Sequence, residues 1–96
     1  MMARKIWLVT GVTGMYDDRS EWVVCAYWAR EKAEERARLA EERGNECIKR
    51  FYDDDVYFDY EWEDRPEEYR NEYDAKMQAQ YYEKVRYYVG EVDLEE

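Results

Sequence analysis

Histidine is absent from this chain of 96 residues, and with it go the commonest general base and the commonest metal ligand. Serine occurs once, at Ser20. Serine–histidine and cysteine–histidine pairings cannot be built, and no carboxylate stands alone in an apolar stretch as a raised pKa requires. The protein is therefore expected not to be an enzyme. Cysteine occurs twice, at Cys25 and Cys47, with neither metal-ligand spacing nor a disulfide framework; Cys25 lies inside an apolar run and reads as a small core residue. No run approaches the roughly 18 apolar residues of a membrane span, and the opening MMARKIWLVTG lacks the apolar core and cleavage site of a signal peptide. A cytoplasmic protein of one domain, residues 1–96, is expected. It is too short for a cofactor domain beside a substrate domain, and no cofactor is implied.

What the chain has in abundance is carboxylate and tyrosine. Asp and Glu number 25 against 15 Lys and Arg, for a formal charge of -10, and there are 11 Tyr and 4 Trp. The charge is localised. From Asp53 to Asp74 (DDDVYFDYEWEDRPEEYRNEYD) eleven acids face only Arg65 and Arg70, a net -9, so the rest of the chain nearly balances. A bare run of this kind reads as a disordered tail, but aromatics bury large areas while keeping a polar handle. Val56, Phe58, Tyr60 and Trp62 alternate with Tyr57, Asp59, Glu61 and Glu63, the pattern of a half-buried strand. The expectation is a strand that buries Phe58, Tyr60 and Trp62 and presents an evenly spaced row of anions. Such a charge disfavours nucleic acid and anionic membranes as direct partners and favours a basic, Lys/Arg-rich protein surface. Asp53, Asp54 and Asp55 offer oxygen ligands without the spacing or sixth-position glycine of an EF-hand loop, so no metal site is expected.

Along the chain, Lys5 to Thr10 and Glu21 to Trp28 are apolar runs that read as antiparallel strands joined by the polar stretch Gly11 to Ser20. Ala29 to Arg43 is rich in Ala, Glu and Arg and ends at Gly44-Asn45, a helix with its C-cap. Ala29, Ala33, Ala37 and Ala40 recur at helical spacing as a small-residue buried stripe, and Glu34–Arg38 and Arg38–Glu42 pair on the outer face. Glu46 to Tyr52 is ambiguous between helix and strand; as a strand it would set Lys49 and Arg50 opposite the acids. Pro66 opens a second helix through Ala79, with Glu67 and Glu68 in its first turn. Tyr81 to Leu94 alternates Val85, Tyr87 and Val89 and resumes out of phase at Val92 and Leu94, which reads as a bulge near Gly90-Glu91. The fold class is α+β: one mainly antiparallel sheet with its helices packed on one face.

Ile6 to Gly14 resembles the first strand and TGxxGxxG loop of short-chain dehydrogenases. Asp17 stands in place of the third glycine, however, and a strand follows where the pyrophosphate-binding helix belongs, so nucleotide binding is not expected. The order of strand, polar loop, apolar strand and EKAEE helix over residues 5–43 resembles small uncharacterised proteins of phages and mobile elements. The charge pattern of the acidic aromatic segment resembles the anti-CRISPR and anti-restriction inhibitors that imitate DNA. That resemblance implies a small inhibitor docking on the nucleic-acid site of a host defence protein. The expected partner-binding residues are Asp53, Asp54, Asp55, Asp59, Glu61, Glu63, Asp64, Glu67, Glu68 and Glu72, with Tyr57 and Tyr69 supplying aromatic contact. The alternative is a small structural or regulatory homo-oligomer in which exposed aromatics pair between subunits and the acids only confer solubility. A monomer and a homodimer are both compatible with the sequence.

Overall fold

Three antiparallel strands form an open sheet in the order β2-β1-β3, with one long helix across one face, in the computed structural model, which describes residues 4–14, 19–79 and 83–94. The strands are β1 (Arg4–Thr13), β2 (Ser20–Tyr27) and β3 (Val85–Leu94), and the helix α1 spans Arg30–Asp53. The α+β class and the β1–β2 hairpin are as the sequence implied. Among the described residues no helix is long and apolar enough to cross a membrane.

β1 is central, so its inward face meets both neighbours. Val9, with no exposed surface, faces α1 together with Val85 and Tyr87. At Gly11 the indole of Trp22 lies so close that a Cβ would come within 2.5 Å of it, and no larger residue fits under that ring. The pairing of β1 with β2 slips by one residue between Val9 and Thr10, which makes Val24 the extra residue of a bulge.

The helix runs through the expected stop. Gly44 is buried within α1, where a Cβ would meet Val85 Cγ1 at 2.8 Å; this glycine serves close packing of helix on strand, not a cap. Asn45 does not end the helix either. Its Nδ2 donates to Glu41 O and Val85 O, and its Oδ1 accepts from Val85 N, all at 2.9 to 3.0 Å, so it ties the start of β3 to α1. Glu46 to Tyr52 is therefore helix, continuing the buried stripe of Ala33, Ala37 and Ala40 through Cys47, Ile48 and Phe51. On the outer face Arg38 pairs with Glu42 and Glu35, while Glu34 pairs with Arg30 instead of Arg38.

Three further expectations are overturned. The acidic segment is not a strand: it folds as 3₁₀ turns at Val56–Phe58, Trp62–Asp64 and Glu67–Tyr69. Phe58 is 73% exposed and Tyr60 46%, while Trp62 is half-buried. A strand needs a neighbour to satisfy its backbone, and this segment packs on α1 instead, closing its own bonds in short turns such as Asp59 N to Val56 O. The helix expected from Pro66 to Ala79 is a single turn. Asn71 Oδ1 accepts from Tyr73 N and Asp74 Oδ1 from Lys76 N, and such local side-chain bonds compete with the helical ladder. Finally, β3 pairs with β1 in unbroken register from Thr13↔Val85 to Arg4↔Leu94, so there is no bulge at Gly90-Glu91. The change of phase marks a change of face: Val85, Tyr87 and Val89 point to α1, whereas Val92 and Leu94 point away. Tyr81 and Tyr82, the start of the expected strand, lie outside the described residues.

A candidate protein-binding surface

The acidic segment is wrapped around one aromatic cluster and one arginine. Phe51, on the last turns of α1, meets Trp62 edge-on at 5.1 Å and Tyr69 at 6.4 Å between ring centres. Trp62 donates from Nε1 to Met77 O at 3.0 Å. Arg65 is buried, its guanidinium 3.7 Å above the Trp62 ring, and donates to the carbonyls of Trp62 and Tyr69. Burial, with neighbouring Arg70 adding to it, pulls Arg65 down to about 10; it stays charged at neutral pH. Arg70 likewise donates to backbone, to Arg65 O and Glu63 O.

Both cations of the segment are thus spent on carbonyl oxygens. Among the described residues the one ion pair made by its carboxylates is Glu72 with Arg43, at 3.3 Å. Asp53, Asp54, Asp55, Asp59, Glu61, Glu63, Asp64, Glu67 and Glu68 are all exposed and enter no ion pair there. Lys49 and Arg50 do not neutralise them; Arg50 lies over the Tyr69 ring at 5.2 Å. Asp53 to Asp55 also sit at the C-terminus of α1, where the helix dipole is itself negative and carboxylates are disfavoured by a few tenths of a kcal/mol each. Asp55 takes a left-handed conformation there, φ 59°, which aspartate tolerates.

The eleventh acid behaves differently. Asp74 is 1% exposed and accepts from Trp22 Nε1 at 2.7 Å, from the Tyr87 hydroxyl at 2.6 Å and from Lys76 N. It belongs to the core and pins the loop to β2 and β3.

The aromatic part of the surface differs from the expected one. Tyr69 is buried with its hydroxyl donating to Asp54 Oδ2 at 3.0 Å, so it supports the surface and does not form it. Tyr57 is half-buried, tilted over Tyr52 and stacked on Phe58 at 4.3 Å. Phe58 and Tyr60 take the exposed positions. Alternation had assigned them to the core, and no local signal marks them as outward once the strand is gone. With Tyr57, Asp59, Glu61 and Asp64 they line a shallow recess of about 260 Å³, apolar rings edged by carboxylates. This suits an ammonium or guanidinium group, which gains from both ring faces and anions.

Cys47 is buried, and burial pushes its thiol up, away from the reactive thiolate. Among the described residues no three of Asp, Glu and Cys converge so as to hold a metal ion. The chain is thus defined by its architecture, a two-layer α+β fold carrying an anionic aromatic surface at one end of its helix. In comparisons with protein-family models, curated proteins and solved structures, nothing matches it.

Proposed function

We propose that the protein is a non-catalytic binding module that docks the surface from Asp53 to Glu72 on a Lys/Arg-rich face of a cytoplasmic nucleic-acid-binding protein, inhibiting it by occupying the site nucleic acid would fill. The observation that carries this reading is the disposal of the segment's own cations. Arg65 and Arg70 are turned onto backbone carbonyls, and so the exposed carboxylates other than Glu72 enter no ion pair among the described residues and can meet a partner's cations. A surface selected only for solubility gains nothing from leaving acids against the negative end of a helix. Its resemblance in charge pattern to anti-CRISPR and anti-restriction inhibitors makes a defence nuclease complex the partner class to test first.

The mechanism is competition for the same cationic groups. The tagged protein, used to capture partners from a bacterial lysate, should retain basic nucleic-acid-binding proteins that duplex DNA then releases. The combined change Asp59→Lys, Glu61→Lys and Glu63→Lys should abolish capture without altering the circular dichroism spectrum. A stable ternary complex of this protein, its partner and DNA in the partner's channel would overturn the proposal, as would capture indifferent to the charge reversals.

A further inference from the structure

The strands carry more apolar surface than the fold covers. Lys5 to Thr10 and Glu21 to Trp28 are nearly continuous apolar runs, the pattern of strands buried on both faces, yet α1 lies on one face only. Opposed residues of an antiparallel pair share a face, so the register sets Ile6, Leu8 and Thr10 of β1 on the side away from α1, beside Val92, Gly90 and Tyr88 of β3; Val12, farther along the same face, is itself buried, with Arg86 and Glu21 as its partners. Val23 and Ala26 of β2 join them across Thr10 and Leu8. Val23 and Tyr88 are each 50% exposed, and neither they nor Leu8 or Val92 belong to the core cluster.

Gly90 sharpens the argument. Glycine inside a strand forfeits packing and adds chain entropy to be lost. Gly11 is required by Trp22, Gly44 by Val85, and Gly14 by its positive φ of 86°. At Gly90 φ is not positive, and an added Cβ would meet nothing within 4 Å. Among the described residues nothing calls for glycine there. Its register partner Leu8 stands between Gly90 and Ala26, a ridge flanked by low ground, which is the self-complementary relief a twofold axis requires.

We infer that this face pairs with a second copy of the chain, the two sheets stacking so that Leu8 of each copy seats over Gly90 of the other, with both helices outermost. Size permits it. Strands of about 33 Å spaced about 4.8 Å apart give a flat face of roughly 450 Å² per copy, or roughly 900 Å² per pair before side-chain relief adds to it, which is the small end of specific interfaces. Charge permits it too. The acidic segment lies on the helix layer, since Asp74 binds the inward-facing Trp22 and Tyr87 and Asn71 binds Ala40 O, while Glu21 and Arg86 flank Val12 at one end of the sheet face with opposite charges. Layers about 10 Å apart keep the two acidic segments beyond a Debye length of about 8 Å. The inference is independent of the proposed docking, and it leaves that surface free in both copies.

Sedimentation equilibrium of the full chain from micromolar to millimolar concentration tests it. The wild-type protein should be dimeric at micromolar concentration, and Gly90→Val should weaken association at least tenfold while melting no lower as a monomer, because valine favours strands. Leu8→Lys should weaken it similarly, and Glu61→Lys should leave it unchanged. A wild-type protein still monomeric at millimolar concentration overturns the inference, as does a dimer equally tight in Gly90→Val. A Gly90→Val monomer that melts lower would give the glycine a role within its own chain and also overturn it.

Discussion

Asp74 shows how one residue can leave its neighbours' company. Ten of the eleven acids in its segment stay in water, whereas Asp74 is taken inside because Trp22, Tyr87 and a backbone N–H converge on it. Replacing it with alanine strands those buried donors, and the expected loss in urea unfolding is about 3 kcal/mol or more, against about 0.5 kcal/mol or less for Glu61→Lys. A pH effect follows. Burial, and then the bond to Asp74, holds the Tyr87 phenol well above its ordinary range. The unfolded phenol titrates near pH 10, so above that pH the unfolded chain releases a proton the folded chain keeps, and stability present below about pH 10 is lost as pH rises. Between about pH 8 and pH 11 the melting temperature should therefore fall more steeply in the wild type than in Tyr87→Phe; parallel curves would refute the assignment. The Cys47 thiol, raised by burial, acts in the same sense, and Arg65, pulled down to about 10, in the opposite one, but both are common to the two proteins and cancel in the comparison.

At the scale of elements, alternation misleads where no sheet edge receives the strand. Val56, Phe58, Tyr60 and Trp62 share a strand face on paper, but in 3₁₀ turns they point in different directions. Trp62 is clamped between Phe51 and Arg65 and bonded to Met77 O, while Phe58 is exposed. Trp62→Ala should cost about 3 kcal/mol or more and Phe58→Ala about 0.5 kcal/mol or less, measured by chemical denaturation; equal losses would restore the strand. The length of α1 was legible and was masked by a strong local sign. Ala33, Ala37, Ala40, Gly44, Cys47 and Phe51 recur at alternating intervals of four and three, which carries the helix through Gly44-Asn45. Glycine and asparagine look like a cap until β3 is seen packed against one and bonded to the other.

For the whole molecule, the acidic segment and the uncovered apolar area of the sheet lie on opposite layers, and salt should separate their effects. Docking of exposed carboxylates on a basic protein weakens as salt screens it. Pairing through the sheet face brings together two copies of charge -10, so added salt should leave that association unchanged or tighten it. Titrating sodium chloride while following partner capture and self-association on the same preparation should show the two moving in opposite directions, or the first alone moving. Loss of both together would place the two contacts on one surface.

Composition and short-range order were enough for one group of features. The localisation of charge, the β1–β2 hairpin, the start and inner stripe of α1, and the switch of apolar phase along β3 could all be read from the sequence. A second group depends on neighbours far along the chain and emerges only when the elements pack. Residues 46–52 are helix because Val85 packs on Gly44 and bonds to Asn45, which carries α1 past its apparent cap, Asp53 to Asp74 is wrapped because α1 offers it Phe51, and Asp74 is buried because Trp22 and Tyr87 reach it. The phase switch along β3 reflects where α1 stops covering the sheet. Hydrophobic periodicity reports that side chains differ in burial; it does not say what buries them, because backbone and side-chain partners are supplied by elements that periodicity cannot place.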